Sequence, residues 1–220
     1  MYKVSEIFHT IQGEGLHAGK PCVFLRFSGC NLWRSPETPS VTCPWCDTPQ
    51  LHNSALYTRE AILSSVDYVR ASDKCGLVIT GGEPFLQLDT ELLQELCAVF
   101  PWIDIETNGS VTPKVSSDFF EYHAGRVFIS CSPKLPKLSQ IVVKPDWFKI
   151  LIPAKKMLLS QLVEEGVDHN KVYLQPVEPL DEGGSLDSPT YQHNIRECVD
   201  LAFLYGFSVS LQLHKYLSLQ

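Results

Sequence analysis

Apolar runs rich in β-branched and aromatic residues recur along the chain at Cys22 to Ser28, Leu77 to Thr80, Ile103 to Glu106, Val127 to Cys131, Phe148 to Ile152, Val172 to Leu174 and Phe207 to Leu213, and each reads as a strand. Helical periodicity falls between them. Ile62, Val66 and Val69 repeat at i, i+4, i+7, and Leu92, Leu93, Leu96 and Phe100 keep one face. Leu158, Leu159, Leu162 and Val163 do the same, followed by Ile195, Val199, Ala202 and Phe203. Gly166 and Gly206 fall just past helix ends, where a left-handed residue closes the last turn. Pro113 to His123 has little periodicity and predicts only a weak helix.

Strand and helix alternating at this spacing predict a parallel sheet with helical crossovers. At 220 residues the chain is shorter than the ~250 of a complete eightfold barrel. The expected fold is therefore α/β, a partial TIM-type barrel of about six or seven mostly parallel strands with fewer helices, as one domain over 1–220. Ligands collect at the C-terminal strand ends of such sheets. Cys30, Thr80-Gly81-Gly82-Glu83-Pro84, Glu106-Thr107-Asn108-Gly109, Ser132-Pro133-Lys134, Gln175-Pro176 and His214-Lys215 all follow predicted strands.

Charge and composition narrow the partners. A net charge of −7 argues against a phosphate-backbone surface, so nucleic acid is not an expected substrate. Met1 to Gln12 lacks a basic stretch followed by an apolar one, and no apolar run approaches the ~20 residues that span a bilayer. The expectation is a cytoplasmic protein whose eight cysteines stay reduced or bind metal.

Three of those cysteines are grouped as Cys30-x12-Cys43-x2-Cys46, with Gly29 and Pro44 providing the sharp turns that thiolate ligands need. They read as ligands of one iron-sulfur cubane. Three thiolates leave the fourth iron open to a small molecule. A Cys3His zinc site with His9, His17 or His52, or a group of buried thiols, stays open as an alternative. Cys22, Cys75, Cys97, Cys131 and Cys198 have no partner spacing and read as packing residues.

The three cysteines, Trp45 just before the third, and the Gly-Gly-Glu-Pro turn at 81–84 together resemble the radical S-adenosylmethionine (SAM) superfamily. That resemblance implies a 4Fe-4S cluster whose open iron chelates the methionine moiety of SAM, with Gly82 and Glu83 meeting the methionine amine. Such a cofactor lets an enzyme take hydrogen from an unactivated carbon.

A closer resemblance covers nearly the whole chain. Ile7 to Gly15 (IFHTIQGEG), Gly19-Lys20-Pro21, Phe24-Leu25-Arg26, Gly29-Cys30-Asn31-Leu32, Cys46-Asp47-Thr48, ITGGEP, IETNG, SPK, LQP and LQLHK are similar to the 7-carboxy-7-deazaguanine synthase family of queuosine and 7-deazapurine biosynthesis. The resemblance implies a lyase that converts 6-carboxy-5,6,7,8-tetrahydropterin to 7-carboxy-7-deazaguanine with loss of ammonia. It places Ile11, Gln12, Gly13, Arg26 and Thr80 on the pterin, with Arg26 on its carboxylate. Ser132, Pro133, Lys134 and Gln175 fall on the nucleoside end of SAM, and Thr48 on Mg2+. Glu14, Glu106, Asn108, His214 and Lys215 follow as further contributors, and no residue is assigned as general base. The family resemblance also implies a homodimer and an electron donor such as flavodoxin or ferredoxin.

The superfamily spacing has three residues between the first two cysteines, whereas twelve stand here, a cluster-loop insertion at 31–42. Two doublings of loop length cost roughly 1.2 kcal/mol of closure entropy. Metal ligation, on the order of 10 kcal/mol in zinc sites, exceeds that. Two other readings share parts of the pattern. An activase acting on a partner protein would share the cysteines and GGEP but not the use of QGEG and Arg26. A zinc-binding interaction module would share only the cysteines.

Overall fold

Alternation along the strands sorts side chains onto two unlike faces of one sheet. The computed structural model describes residues 1–33, 43–46, 54–179 and 186–219. Its strands are β1 (Tyr2–Ile11), β2 (Pro21–Phe27), β3 (Ala55–Tyr57), β4 (Gly76–Gly81), β5 (Ile103–Thr107), β6 (Val127–Cys131), β7 (Trp147–Ile152), β8 (Val172–Pro176) and β9 (Ser208–Val209). They form one sheet in the order β3-β1-β2-β4-β5-β6-β7-β8-β9. β1 runs antiparallel to β2 and β3, and every pairing from β2 to β9 is parallel. The result is a partial, mostly parallel barrel, as expected.

Two details differ from the expectation. The seven apolar runs correspond to the seven parallel strands, but β1 and β3 extend the sheet at one edge to nine strands. The last strand is also shorter than Phe207 to Leu213. After β9 the chain turns out of the ladder, Leu213 N donates to Gly13 O at 3.0 Å, and Leu213–Tyr216 forms a short helix.

The principal helices are α1 (Arg59–Val69), α2 (Thr90–Val99), α3 (Ser117–Tyr122), α4 (Leu158–Glu164) and α5 (Pro189–Tyr205). Four of these starts are set by side-chain oxygens that accept orphan backbone N–H groups: Thr58 for α1, Asp89 for α2, Ser116 for α3 and Ser188, with Pro189 behind it, for α5. Gly206 ends α5 at φ 73°, the left-handed cap its position predicts. Only a single 3-10 turn, Leu138–Gln140, connects β6 to β7, so helices are fewer than strands. None of the described helices is long and apolar enough to cross a membrane.

One face of the sheet carries the core. Val23, Leu25, Phe27, Leu77, Ile79, Ile103 and Ile105 pack against Ile62, Val66, Leu92, Leu96 and Phe100. A second cluster joins Ile150, Ile152, Val172 and Leu174 to Leu158, Leu162, Cys198 and Leu201. Each such fully buried side chain is worth ~1.5–3 kcal/mol. The alternate residues of the same strands, among them Arg26, Thr80, Glu106, Lys149 and Gln175, point to the opposite, polar face. On that face buried His17 holds Asp104 through Nδ1 at 2.8 Å and stacks on Trp102 with ring centroids 4.2 Å apart. His17 is thus a packing residue tied to a carboxylate.

Candidate active site at the carboxyl ends of the parallel strands

A cavity of about 340 Å³ opens where the parallel strands end. Cys30, Cys43 and Cys46 border it, as do Ile11, Gln12, Arg26 and Thr80 from the expected substrate set. Gly82, Ser132, Lys134 and Gln175 from the expected cofactor set share its wall. Glu14, Glu106, Asn108, His214 and Lys215 line it too. Thr48 lies outside the described residues. Gly13, Glu83 and Pro133 are adjacent in sequence to lining residues but do not border the cavity.

Glu83 shows why. Its fully buried carboxylate accepts from Phe85 N at 3.1 Å, Thr107 Oγ1 at 2.8 Å and Asn108 N at 2.8 Å, and so clamps the ends of β4 and β5 together. Burial pushes its pKa up, while those three hydrogen bonds and the Lys134 charge act the other way. Gly13 has a related scaffolding role. A Cβ there would lie 2.1 Å from His214 Nδ1, so glycine lets the C-terminal segment cross beside the site.

Turns set the three thiols on the border of the same cavity. Gly29, at φ 99°, reverses the chain after β2 and presents Cys30. Gly82 lies so close that a Cβ would meet Gly29 O at 2.1 Å and the Cys30 Cβ at 2.7 Å. Cys43 and Cys46 are linked by a turn in which Cys46 N donates to Cys43 O at 3.2 Å. Asn108 Nδ2 donates to Asn31 Oδ1 at 3.1 Å and Asn31 Nδ2 to Ser110 Oγ at 2.9 Å, fastening the residue after Cys30 to the end of β5. Burial raises the pKa of Cys30 and Cys43, and Lys134 and Lys155 oppose the shift at Cys43. Among the described residues no group of three or more His, Cys, Asp or Glu side chains is close enough to hold one metal ion. The donor set is nonetheless all thiol, the soft chemistry that iron-sulfur clusters take.

The rest of the wall is a connected polar network. Glu106 accepts from Thr80 Oγ1 at 3.1 Å and from Gln12 Nε2 at 3.3 Å. Glu14 pairs with Lys149 and accepts from Gln175 Nε2 at 3.1 Å and Gln212 Nε2 at 2.9 Å. Gln175 Oε1 is buried and has no partner among the described residues. Arg26 donates through Nε to Glu6. Lys215 pairs with Glu178.

Glu6, Lys149, Glu178, Gln212 and Lys155 were missed in the sequence. A lysine within the apolar run Trp147–Ile152 is itself a signal, because a charge is rarely retained in a buried strand without a partner. The others have no local signature.

A partial parallel barrel whose carboxyl end carries three thiols, a glycine-rich strand end against them, and a polar wall defines a radical SAM enzyme, a class that uses SAM and a 4Fe-4S cluster. No protein-family model matches the chain. Three proteins named 7-carboxy-7-deazaguanine synthase are similar over its whole length. That of Burkholderia multivorans is 32% identical over 228 residues, and that of Caulobacter vibrioides 33% over 228. That of Nitratidesulfovibrio vulgaris is 33% identical over 231, and each alignment covers 99% of both chains. The chain belongs to the 7-carboxy-7-deazaguanine synthase family. The crystal structure of QueE from Escherichia coli shares the fold, with a TM-score of 0.66 at 22% identity over 96% of this chain and 93% of that one.

Proposed function

We propose that this chain, acting as one domain over 1–220, converts 6-carboxy-5,6,7,8-tetrahydropterin to 7-carboxy-7-deazaguanine with loss of ammonia, in queuosine and 7-deazapurine biosynthesis. The observation that carries the reading is the common cavity. Cys30, Cys43 and Cys46 and the Arg26, Gln12 and Thr80 wall border the same space of about 340 Å³, within the roughly 300–1,000 Å³ range of small-molecule sites.

The thiols would hold the cluster, and Gly82, Ser132, Lys134 and the Gln175 acceptor would hold SAM. When bound, these groups supply one-electron chemistry that removes hydrogen from an unactivated carbon. The chain's own residues supply geometry. Arg26 offers a planar fork to the substrate carboxylate, a charged hydrogen bond worth roughly 1.5–3 kcal/mol. Glu106 fixes Thr80 and Gln12 so that their remaining polar groups are preoriented toward the pterin. Ile11 offers apolar contact to the ring, and Gly13 holds the C-terminal segment beside it. Thr48 would give magnesium the hard oxygen such ions prefer. Glu83 and Pro133 support the SAM wall from behind. The protein works in the cytoplasm as a homodimer and takes electrons from a flavodoxin or ferredoxin.

Anaerobic protein reconstituted with iron and sulfide is incubated with reductant, magnesium, SAM and 6-carboxytetrahydropterin and followed by mass spectrometry. The 7-carboxy-7-deazaguanine mass appears if the proposal is right. SAM cleavage with the pterin recovered intact overturns the substrate assignment.

A further inference from the structure

Lys155 follows β7 and is 7% exposed, yet its ammonium meets no carboxylate among the described residues. Its Nζ instead lies 5.2 Å from the ring centroid of Trp45, the residue between Pro44 and Cys46. A desolvated ammonium over an indole face is a favourable cation–π pair that fixes the ring. Trp45 lies inside the turn that the Cys46 N to Cys43 O hydrogen bond closes at 3.2 Å.

An unpaired buried cation is costly unless something nearby gains from it. A cubane on three thiolates is that partner, because its negative charge increases when it takes an electron. We propose that Lys155 is a positioning residue for the iron-sulfur site: it holds the Cys43–Cys46 turn through Trp45, and its charge makes the cluster easier to reduce. The inference rests on the cluster reading above and adds to it a determinant of redox potential. Lys134 borders the cavity. Lys155 does not border the cavity and reaches the turn through the Trp45 ring.

The test uses the reconstituted full chain and reads iron per chain and the cluster midpoint potential, followed by electron paramagnetic resonance during redox titration. Lys155→Met keeps most of the unbranched side chain and removes the charge. It should retain iron while its reduction equilibrium shifts about tenfold toward the oxidised cluster, 59 mV for one electron. Lys155→Arg keeps charge and ring contact and should recover most of that shift. Should Lys155→Met lose iron, Lys155→Gln, which also removes the charge, is compared with Lys155→Arg, and the difference in potential between these two decides. A wild-type potential in Lys155→Met, or equal shifts in the Met and Arg variants, overturns the assignment. Wild-type protein that binds no iron after reconstitution overturns the cluster reading as well, and so separates the two failures.

Discussion

Glu6 Oε1 accepts from Arg26 Nε at 2.6 Å, across a registered pair of the antiparallel β1–β2 ladder. The side chains are 36% and 19% exposed, so the ion pair is screened and contributes at most about 1 kcal/mol to folding. Its consequence is directional, since it points the guanidinium along the cavity wall. Arg26→Ala should therefore weaken binding of 6-carboxytetrahydropterin by roughly ten- to a hundredfold, the worth of a charged hydrogen bond. Glu6→Gln should change unfolding free energy by less than about 1 kcal/mol. Calorimetric titration and urea unfolding measure the two, and an Arg26→Ala protein that binds normally would refute the carboxylate role.

Gly82→Ala tests the approach of β4 to the cluster loop. The new methyl would meet a backbone oxygen, Gly29 O, at 2.1 Å, and backbone does not yield as a flexible side chain does. The variant should lose most of its reconstituted iron and roughly 1–3 kcal/mol of stability in the apoprotein. Iron analysis and urea unfolding read these out. Wild-type iron content would show that the loop has room the geometry denies.

The fold was legible where periodicity was unbroken. All seven parallel strands and the four strongly periodic helices follow from apolar patterning, because each buries one face against the other. β1 was not legible, since a register shift between Val4 and Glu6 moves its apolar residues from one parity to the other. β3 has three residues, too few for a period. At the site, motif-borne residues were found, whereas Glu14–Lys149 and Glu6–Arg26 were not. The first of these pairs joins residues 135 apart, and no local pattern encodes such a contact.

The cysteines divide by environment. Cys22, Cys75, Cys97, Cys131 and Cys198 are buried, whereas Cys30, Cys43 and Cys46 are partly exposed. Burial pushes Cys97 to about 11 and Cys131 and Cys198 to about 12, which keeps those thiols protonated near neutral pH. Iodoacetamide applied to the folded apoprotein should label Cys30, Cys43 and Cys46 first, as mapped by peptide mass spectrometry. Cys43→Ala should abolish iron binding, and Cys97→Ala should retain it at a cost of about 1 kcal/mol. Equal iron loss in both variants contradicts the division.

Glu83→Gln places an amide NH2 where a carboxylate oxygen now accepts, so donor faces donor in a buried site. A loss of about 1–3 kcal/mol is expected. The pH dependence has a definite sign. Burial raises the folded-state pKa of Glu83 above the usual 4.5, so the folded chain binds more protons than the unfolded chain just above that pH. Wild-type stability therefore falls as pH rises from 4.5 through the folded value, relative to a variant that cannot titrate there. Urea unfolding of both apoproteins across this range should show the gap narrowing with pH. A widening gap would mean that the hydrogen bonds outweigh burial.

Glu14 and Lys149 form an ion pair buried in the cavity wall, with Gln175 and Gln212 donating to the same carboxylate. Two desolvated charges do not by themselves argue for stability, because their desolvation offsets much of their attraction. Removing one partner is different, since it leaves the other charged in a dry site. Lys149→Met alone should cost about 3–5 kcal/mol, and Glu14→Gln alone a comparable amount. The double variant should cost clearly less than the sum, because no lone charge remains. A double-mutant cycle by urea unfolding reads this coupling directly, and additive losses would mean that the pair is not a unit. Both side chains face the cavity, so the folded double variant should also make less 7-carboxy-7-deazaguanine per unit of iron than wild type. That shortfall would separate a wall that shapes the pterin site from one that only holds the strands together.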